Sequence, residues 1–124
     1  MNEIIASFGK SLQRLEEVLQ VQKTIIARDA AIQRFEFTVE LAWKSIQQFL
    51  RVQNIVCRSP KQCLEEAFKF GLVADNPLWL KMMEDRNLTV HTYNEETAEK
   101  IYSHLKDYLE PLGELREKLE KTTG

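Results

Sequence analysis

Residues 29–52 read DAAIQRFEFTVELAWKSIQQFLRV, without a glycine or a proline. Ile32, Phe35, Val39, Ala42, Ile46 and Phe49 recur in it at alternating steps of three and four, the period of one helical face. Asp29 stands where a capping side chain is wanted, and no breaker follows before Pro60. The spacing therefore predicts a helix from Asp29 to Val52, about 36 Å long. Phe37, Leu41, Trp43 and Leu50 lie off that stripe. A helix apolar on more than one face needs more than one partner: the interior of its own bundle, or a second copy of a chain too small to hide it.

The flanking segments carry the same period. Ile5, Phe8, Leu12, Leu15 and Leu19 predict a first helix over about residues 2 to 26. Ser59 before Pro60 and Asn76 before Pro77 each place a capping side chain ahead of a proline at the first helical position. Gln62 completes a capping box with Ser59. The short third helix should end at Phe70, with Gly71 as a left-handed cap and Leu72 folding back as its apolar contact. A fourth helix is predicted over about 77 to 89. The last seam runs through Ala98, Ile101, Leu105, Tyr108, Leu112, Leu115 and Leu119, and Thr92 with Glu95 offers a capping box at its start. Because the seam keeps phase across Pro111, it reads as one kinked helix. The expected fold is all-α: one domain spanning 1–124, an antiparallel up-down bundle of four long helices and one short one.

Composition narrows the function. With 124 residues, 44% apolar, 29% charged, four Gly and three Pro, the chain fits none of the disordered, collagen-like or disulfide-scaffold classes. A formal net charge of -2 excludes a broad grip on nucleic acid through many phosphates, so any such chemistry must sit in a small local site. Charge is uneven: residues 28–61 carry six basic and three acidic side chains, and 94–124 carry five and eight. The basic half surrounds the second helix. No apolar run approaches a membrane span, and the start MNEIIASFGKSLQRLEE lacks the order of a secretion signal, so a cytoplasmic protein without membrane contact is expected. Cys57 and Cys63, six apart, match neither a redox pair nor a zinc half-site, and read as two reduced thiols with Cys63 in the core.

The chemically informative stretch is Arg86-Asn87-Leu88-Thr89-Val90-His91-Thr92-Tyr93. Arg86 falls on the stripe formed by Trp79, Met83 and Val90, and arginine is rarely buried unpaired. It should face a ligand pocket or form a salt bridge to Glu36 or Glu40. His91 lies beyond the predicted helix end, about 140° from Arg86 if the helix continued, so a loop or a second subunit must bring them together. An Arg-x4-His match arises by chance in about one such sequence in nine. Requiring a tyrosine two places later cuts this to about one in several hundred. An arginine fork holds a phosphate and offsets developing charge, while a histidine of near-neutral pKa moves a proton on or off a hydroxyl. RNA brings its own nucleophile, the 2′-hydroxyl beside the scissile phosphate. Arg86, His91 and Asn87 would thus suffice for RNA cleavage without metal or cofactor.

Other constellations carry less. Glu36 and Glu40, one turn apart, suggest a carboxylate-bridged metal centre, but neither histidine has a glutamate three residues earlier. These carboxylates share a face with Trp43 and should pair with basic groups, Arg86 among them. Trp79, Met82 and Met83 read as packing residues, His104 as a partly exposed structural histidine, and the Glu/Lys run at 114–121 as a solvated helix end.

Arg-Asn-x-x-x-His-x-Tyr after a short helix, with Arg34-Phe-Glu-Phe-Thr-Val-Glu-Leu-Ala-Trp-Lys44 on the long one, resembles the HEPN superfamily. More narrowly, it is similar to the nucleotidyltransferase substrate-binding proteins grouped with HepT-type toxins. The resemblance covers about residues 3 to 115. It implies a dimeric antiparallel helical bundle paired with a minimal nucleotidyltransferase. By the same resemblance Arg86 and His91 match the ribonuclease motif, Asn87 the polar position after the arginine, and Tyr93 the tyrosine that the nucleotidyltransferase adenylylates to silence the toxin. Glu40 and Trp43 would support the site. A binding subunit of a two-component nucleotidyltransferase and a plain oligomerisation protein are the other readings.

Overall fold

The computed structural model describes residues 3–123. Among them the secondary structure is entirely helical: α1 (Glu3–Gln20), α2 (Ile25–Val52), α3 (Pro60–Phe70), α4 (Leu78–Leu88), a 3-10 turn (Thr89–His91) and α5 (Glu95–Thr123). Three helices are long, of 18, 28 and 29 residues, and two are short, of 11 residues each, rather than the expected four and one.

The difference arises where caps override periodicity. α1 stops at Gln20 instead of continuing to residue 26, because Thr24 caps α2: its hydroxyl accepts from Ala27 N at 3.0 Å. Asp29, the expected cap, lies inside the helix. The α3 start follows its sequence signature, with Ser59 accepting from Gln62 N at 3.1 Å. The Gln62 side chain in turn accepts from Arg58 N, one residue before the cap. Gly71 closes α3 at φ 92°, a conformation that costs glycine nothing, and Leu72 is buried behind it. At α5 the cap is Asn94, which accepts from Thr97 N at 3.1 Å, and not Thr92. α5 runs unbroken through Pro111.

α1, α2 and α5 enclose the core. Ile5, Phe8, Leu12 and Leu15 of α1 meet Phe35, Val39 and Ile46 of α2 and Ile101, Leu105, Leu112 and Leu115 of α5, all buried. Each such side chain removes apolar area worth about 1.5–3 kcal/mol. Phe35 stacks on Tyr108 with ring centroids 5.6 Å apart. Polar ties fix the register: Ser11 Oγ and Thr38 Oγ1 lie 2.7 Å apart across α1 and α2. Of the off-stripe residues in α2, Leu50 is buried, Leu41 and Trp43 are half-buried, and Phe37 is exposed.

Two features lie outside the sequence reading. Cys57 and Cys63 are joined as a disulfide, not held as reduced thiols, because the loop after α2 returns Cys57 to the first turn of α3 and brings the Cα atoms to 5.1 Å. Arg28, in the first turn of α2, is buried and donates to Glu95 at 2.7 Å and Glu99 at 2.9 Å, clamping the starts of α2 and α5 together. No helix among the described residues is long and apolar enough to cross a membrane.

Candidate active site

The site is built where α4 tightens into the 3-10 turn and leads to α5. The buried side of this segment is Trp79, Met82, Asp85 and Thr89. Val90, expected on the apolar stripe, is instead exposed, because the buried face runs through Met82, Asp85 and Thr89, one position before the expected Met83, Arg86 and Val90. Asp85 anchors the helix: it accepts from the buried Tyr108 hydroxyl and pairs with His104 Nδ1 at 2.8 Å, both on α5. Burial, and then the bond to Asp85, raise the Tyr108 phenol far above its ordinary pKa, so it stays a donor. His104 is the structural histidine its sequence position suggested.

One residue on, Arg86 reaches across to α2. Its Nη2 is paired with Glu40 Oε1, the salt bridge that the sequence pattern allowed. Trp43 Nε1 donates to the same carboxylate oxygen at 3.1 Å, and Lys44 Nζ stands 3.7 Å from the other. Burial pushes the Glu40 carboxyl upward, but the Trp43 bond and the charges of Arg86 and Lys44 outweigh it. Glu40 is held below the ordinary carboxylate range. The arginine is thus fixed at the rim, with 30% of its side chain exposed.

Glu36, one turn earlier, meets the turn itself. The Thr89 hydroxyl lies 2.8 Å from Glu36 Oε2 and 2.7 Å from the Arg86 carbonyl, its single proton shared between the two. Thr92 Oγ1 donates to the Thr89 carbonyl at 3.0 Å and Asn94 N to the His91 carbonyl at 3.0 Å. This lattice of local bonds presents His91 and Tyr93 to solvent side by side. His91 Nδ1 lies 3.3 Å from the Tyr93 hydroxyl, with the rings edge to face at 5.9 Å. Tyr93 is 82% exposed and, with Asp29, Gln33, Glu36 and Thr92, borders a cavity of about 360 Å³.

Five of the six sequence-selected residues therefore fall into two groups, Arg86 with Glu40 and Trp43, and His91 with Tyr93. No hydrogen bond joins the guanidinium to the imidazole, and Asn87 is exposed without a side-chain bond among the described residues. The Thr89–Glu36 and Asp85–His104–Tyr108 contacts, which hold both groups in place, go beyond the sequence reading. Tyr108 signals the second: a phenol on an apolar seam needs a partner when buried.

Among the described residues the chain is all-helical, with a paired arginine and an exposed histidine–tyrosine turn at the end of its short fourth helix. The chain belongs to the family described as nucleotidyltransferase substrate binding protein like, whose model matches residues 3–121. Its curated relatives include a Haemophilus influenzae protein named probable ribonuclease HepT, 38% identical over 94 residues, which are 72% of this chain and 63% of the relative. The match thus spans less than two thirds of that relative's length. Among solved structures, a Thermus thermophilus protein is 40% identical with a TM-score of 0.85, over 90% of this chain and 98% of that one. A Haemophilus influenzae protein, described as showing the fold of a substrate-binding domain of a nucleotidyltransferase, is 28% identical with a TM-score of 0.82, over 94% and 98%.

Proposed function

We propose that this chain is a single-domain HEPN-type toxin, an antiparallel helical bundle that pairs with a second copy and cleaves RNA in the cytoplasm without a metal. The observation that carries the reading is the geometry of one turn: a guanidinium held at the rim, followed by an exposed imidazole within reach of a phenol. Arg86 holds the scissile phosphate and offsets the charge that grows on it. His91 takes the 2′-hydroxyl proton, the 2′-oxygen attacks the adjacent phosphorus, and the 5′-oxygen departs with a returned proton, leaving a 2′,3′-cyclic phosphate. Asn87 adds a polar contact to the phosphate. Dimerisation supplies what one copy lacks, a closed cleft between the Arg86 and His91 groups. The name of the Haemophilus influenzae relative supports the reaction class.

Tyr93 is the off switch in this reading. A minimal nucleotidyltransferase partner transfers AMP from ATP to its hydroxyl: the phenol oxygen bonds the α-phosphorus, pyrophosphate leaves and the phenol proton is lost, so the resulting phosphate ester has no proton to give His91 Nδ1. It also places a charged, bulky nucleotide beside the cavity. The second reading, a non-catalytic subunit that positions a substrate for the nucleotidyltransferase, is favoured by that cavity and by the description of the second structural relative.

Expression of the chain without its partner separates the two. The toxin reading expects slowed growth and degraded RNA, with both effects lost in His91→Ala while the protein stays folded. Intact RNA in cells making the wild-type chain would overturn it and leave the binding subunit. Co-expression with a minimal nucleotidyltransferase partner should add AMP mass to Tyr93 and not to Tyr93→Phe.

A further inference from the structure

We infer that the groove between α1 and α2 is a single-stranded RNA track that feeds the site described above, an inference that rests on the proposed RNA chemistry. The groove encloses about 490 Å³ and its walls include Lys10, Arg14, Arg34, Phe37 and Leu41, with no carboxylate. None of the three groove cations sits in an ion pair among the described residues; other cations are unpaired too, but these three line one groove together with an exposed aromatic ring. Arg34 is pinned by donating from Nη1 to the Arg14 carbonyl at 2.8 Å, and its Nε and Nη2 have no hydrogen-bond partner among the described residues. Lys10 and Arg14 stand one turn apart, about 6 Å along the axis.

Unpaired cations spaced along a groove fit the phosphates of a nucleic-acid strand, and the aromatic beside them fits a base. Phe37 is 53% exposed, over the half-buried Leu41. A bare ring framed by guanidinium groups is a stacking platform for any base, the combination by which proteins hold single strands. The groove also has a direction. Gln33 lines both it and the cavity beside Tyr93, so the two adjoin at that side chain. A strand lying on Phe37 would pass over Gln33 toward His91. The weak overall charge is then no obstacle, since the attraction is concentrated on one groove.

The test is binding of a labelled single-stranded oligoribonucleotide whose riboses are all 2′-O-methylated, so that the hydroxyl nucleophile is absent. Fluorescence anisotropy is read over a tenfold range of salt. Replacing Lys10, Arg14 and Arg34 together by Gln should lower the slope of log affinity against log salt by about 2, at roughly 0.7 per phosphate contact. Phe37→Ala should weaken binding about tenfold. Lys61→Gln, an exposed position on α3 outside the groove, should bind as wild type does. Arg34→Gln removes a tie between helices, so the Lys10→Gln, Arg14→Gln double variant, with both sites exposed, serves as the folding-safe version and should lower the slope by about 1.4. Unchanged affinity and slope in these variants would overturn the track. So would dissociation of a dimer by Phe37→Ala with RNA affinity unchanged, or an acidic peptide binding as tightly as RNA. Cleavage of unmodified RNA by the groove variants is scored separately: cleavage without groove-dependent binding refutes the track alone, and groove-dependent binding without cleavage refutes the ribonuclease reading alone.

Discussion

Tyr108→Phe removes one oxygen from the interior, and its cost follows from where that oxygen sits. The side chain is fully buried, and the hydroxyl donates to Asp85, itself 3% exposed, whose same oxygen pairs with His104. A bond from a neutral donor to a charged acceptor contributes about 1.5–3 kcal/mol, and the phenylalanine leaves the carboxylate short of a donor without opening a cavity. For 124 residues the unfolding entropy is about 0.26 kcal/mol/K, so the melting temperature should fall by roughly 6–12 °C. Asp85→Ala strands both the phenol and the imidazole and should cost about 3–5 kcal/mol. Because the two residues share one bond, the double variant should be more stable than the sum of the single losses implies, by at least about 1 kcal/mol. Urea and thermal unfolding followed by circular dichroism measure all three. A Tyr108→Phe change below about 0.5 kcal/mol, or strict additivity, would refute the claim that this bond anchors α4 and with it Arg86.

Three further outcomes follow from the fold. Hydrogen bonds from Arg28, and for Glu99 first from Lys23, hold Glu95 and Glu99 below the ordinary carboxylate range. Groups lowered in the folded state stabilise it above their unfolded pKa and lose that effect as pH falls through the folded value, so acid titration of stability should steepen there and flatten in Arg28→Met. Reducing the Cys57–Cys63 disulfide, which closes a short loop, should lower stability by about 2 kcal/mol, read as a melting shift with and without reductant. Gly71→Ala, at φ 92°, should cost about 1 kcal/mol by chemical denaturation, with nothing crowding the added methyl.

The long helices are legible because their buried faces repeat at the helical period, and α2, the least ambiguous, ends at Val52 as its spacing requires. What escapes the sequence is set by single hydrogen bonds. Asp29 and Thr92 are the caps that the spacing suggests, yet Thr24 caps α2 and Asn94 caps α5. Val90 keeps the apolar period but not the burial, since the packed face of α4 passes one residue earlier, through Met82, Asp85 and Thr89. The disulfide escapes because a six-residue separation along the chain matches no motif, while the loop that closes it is visible only in space. At the site, Arg86 and Glu40 are visible as a charge stranded on an apolar stripe and a carboxylate on the facing helix. The His91–Tyr93 contact needs only the turn between them, whereas the Asp85 anchor joins residues 19 and 23 apart, and its one signal is the phenol of Tyr108 on an apolar seam, which does not name the partner.

The most direct test is cleavage by purified protein. Wild-type chain and His91→Ala are incubated with a defined RNA, product ends are mapped, and sedimentation is recorded for both. The account expects 2′,3′-cyclic phosphate ends from the wild type and a loss of at least about a hundredfold in His91→Ala, with sedimentation unchanged. Intact RNA with the wild type, or equal cleavage by the two proteins, would contradict it.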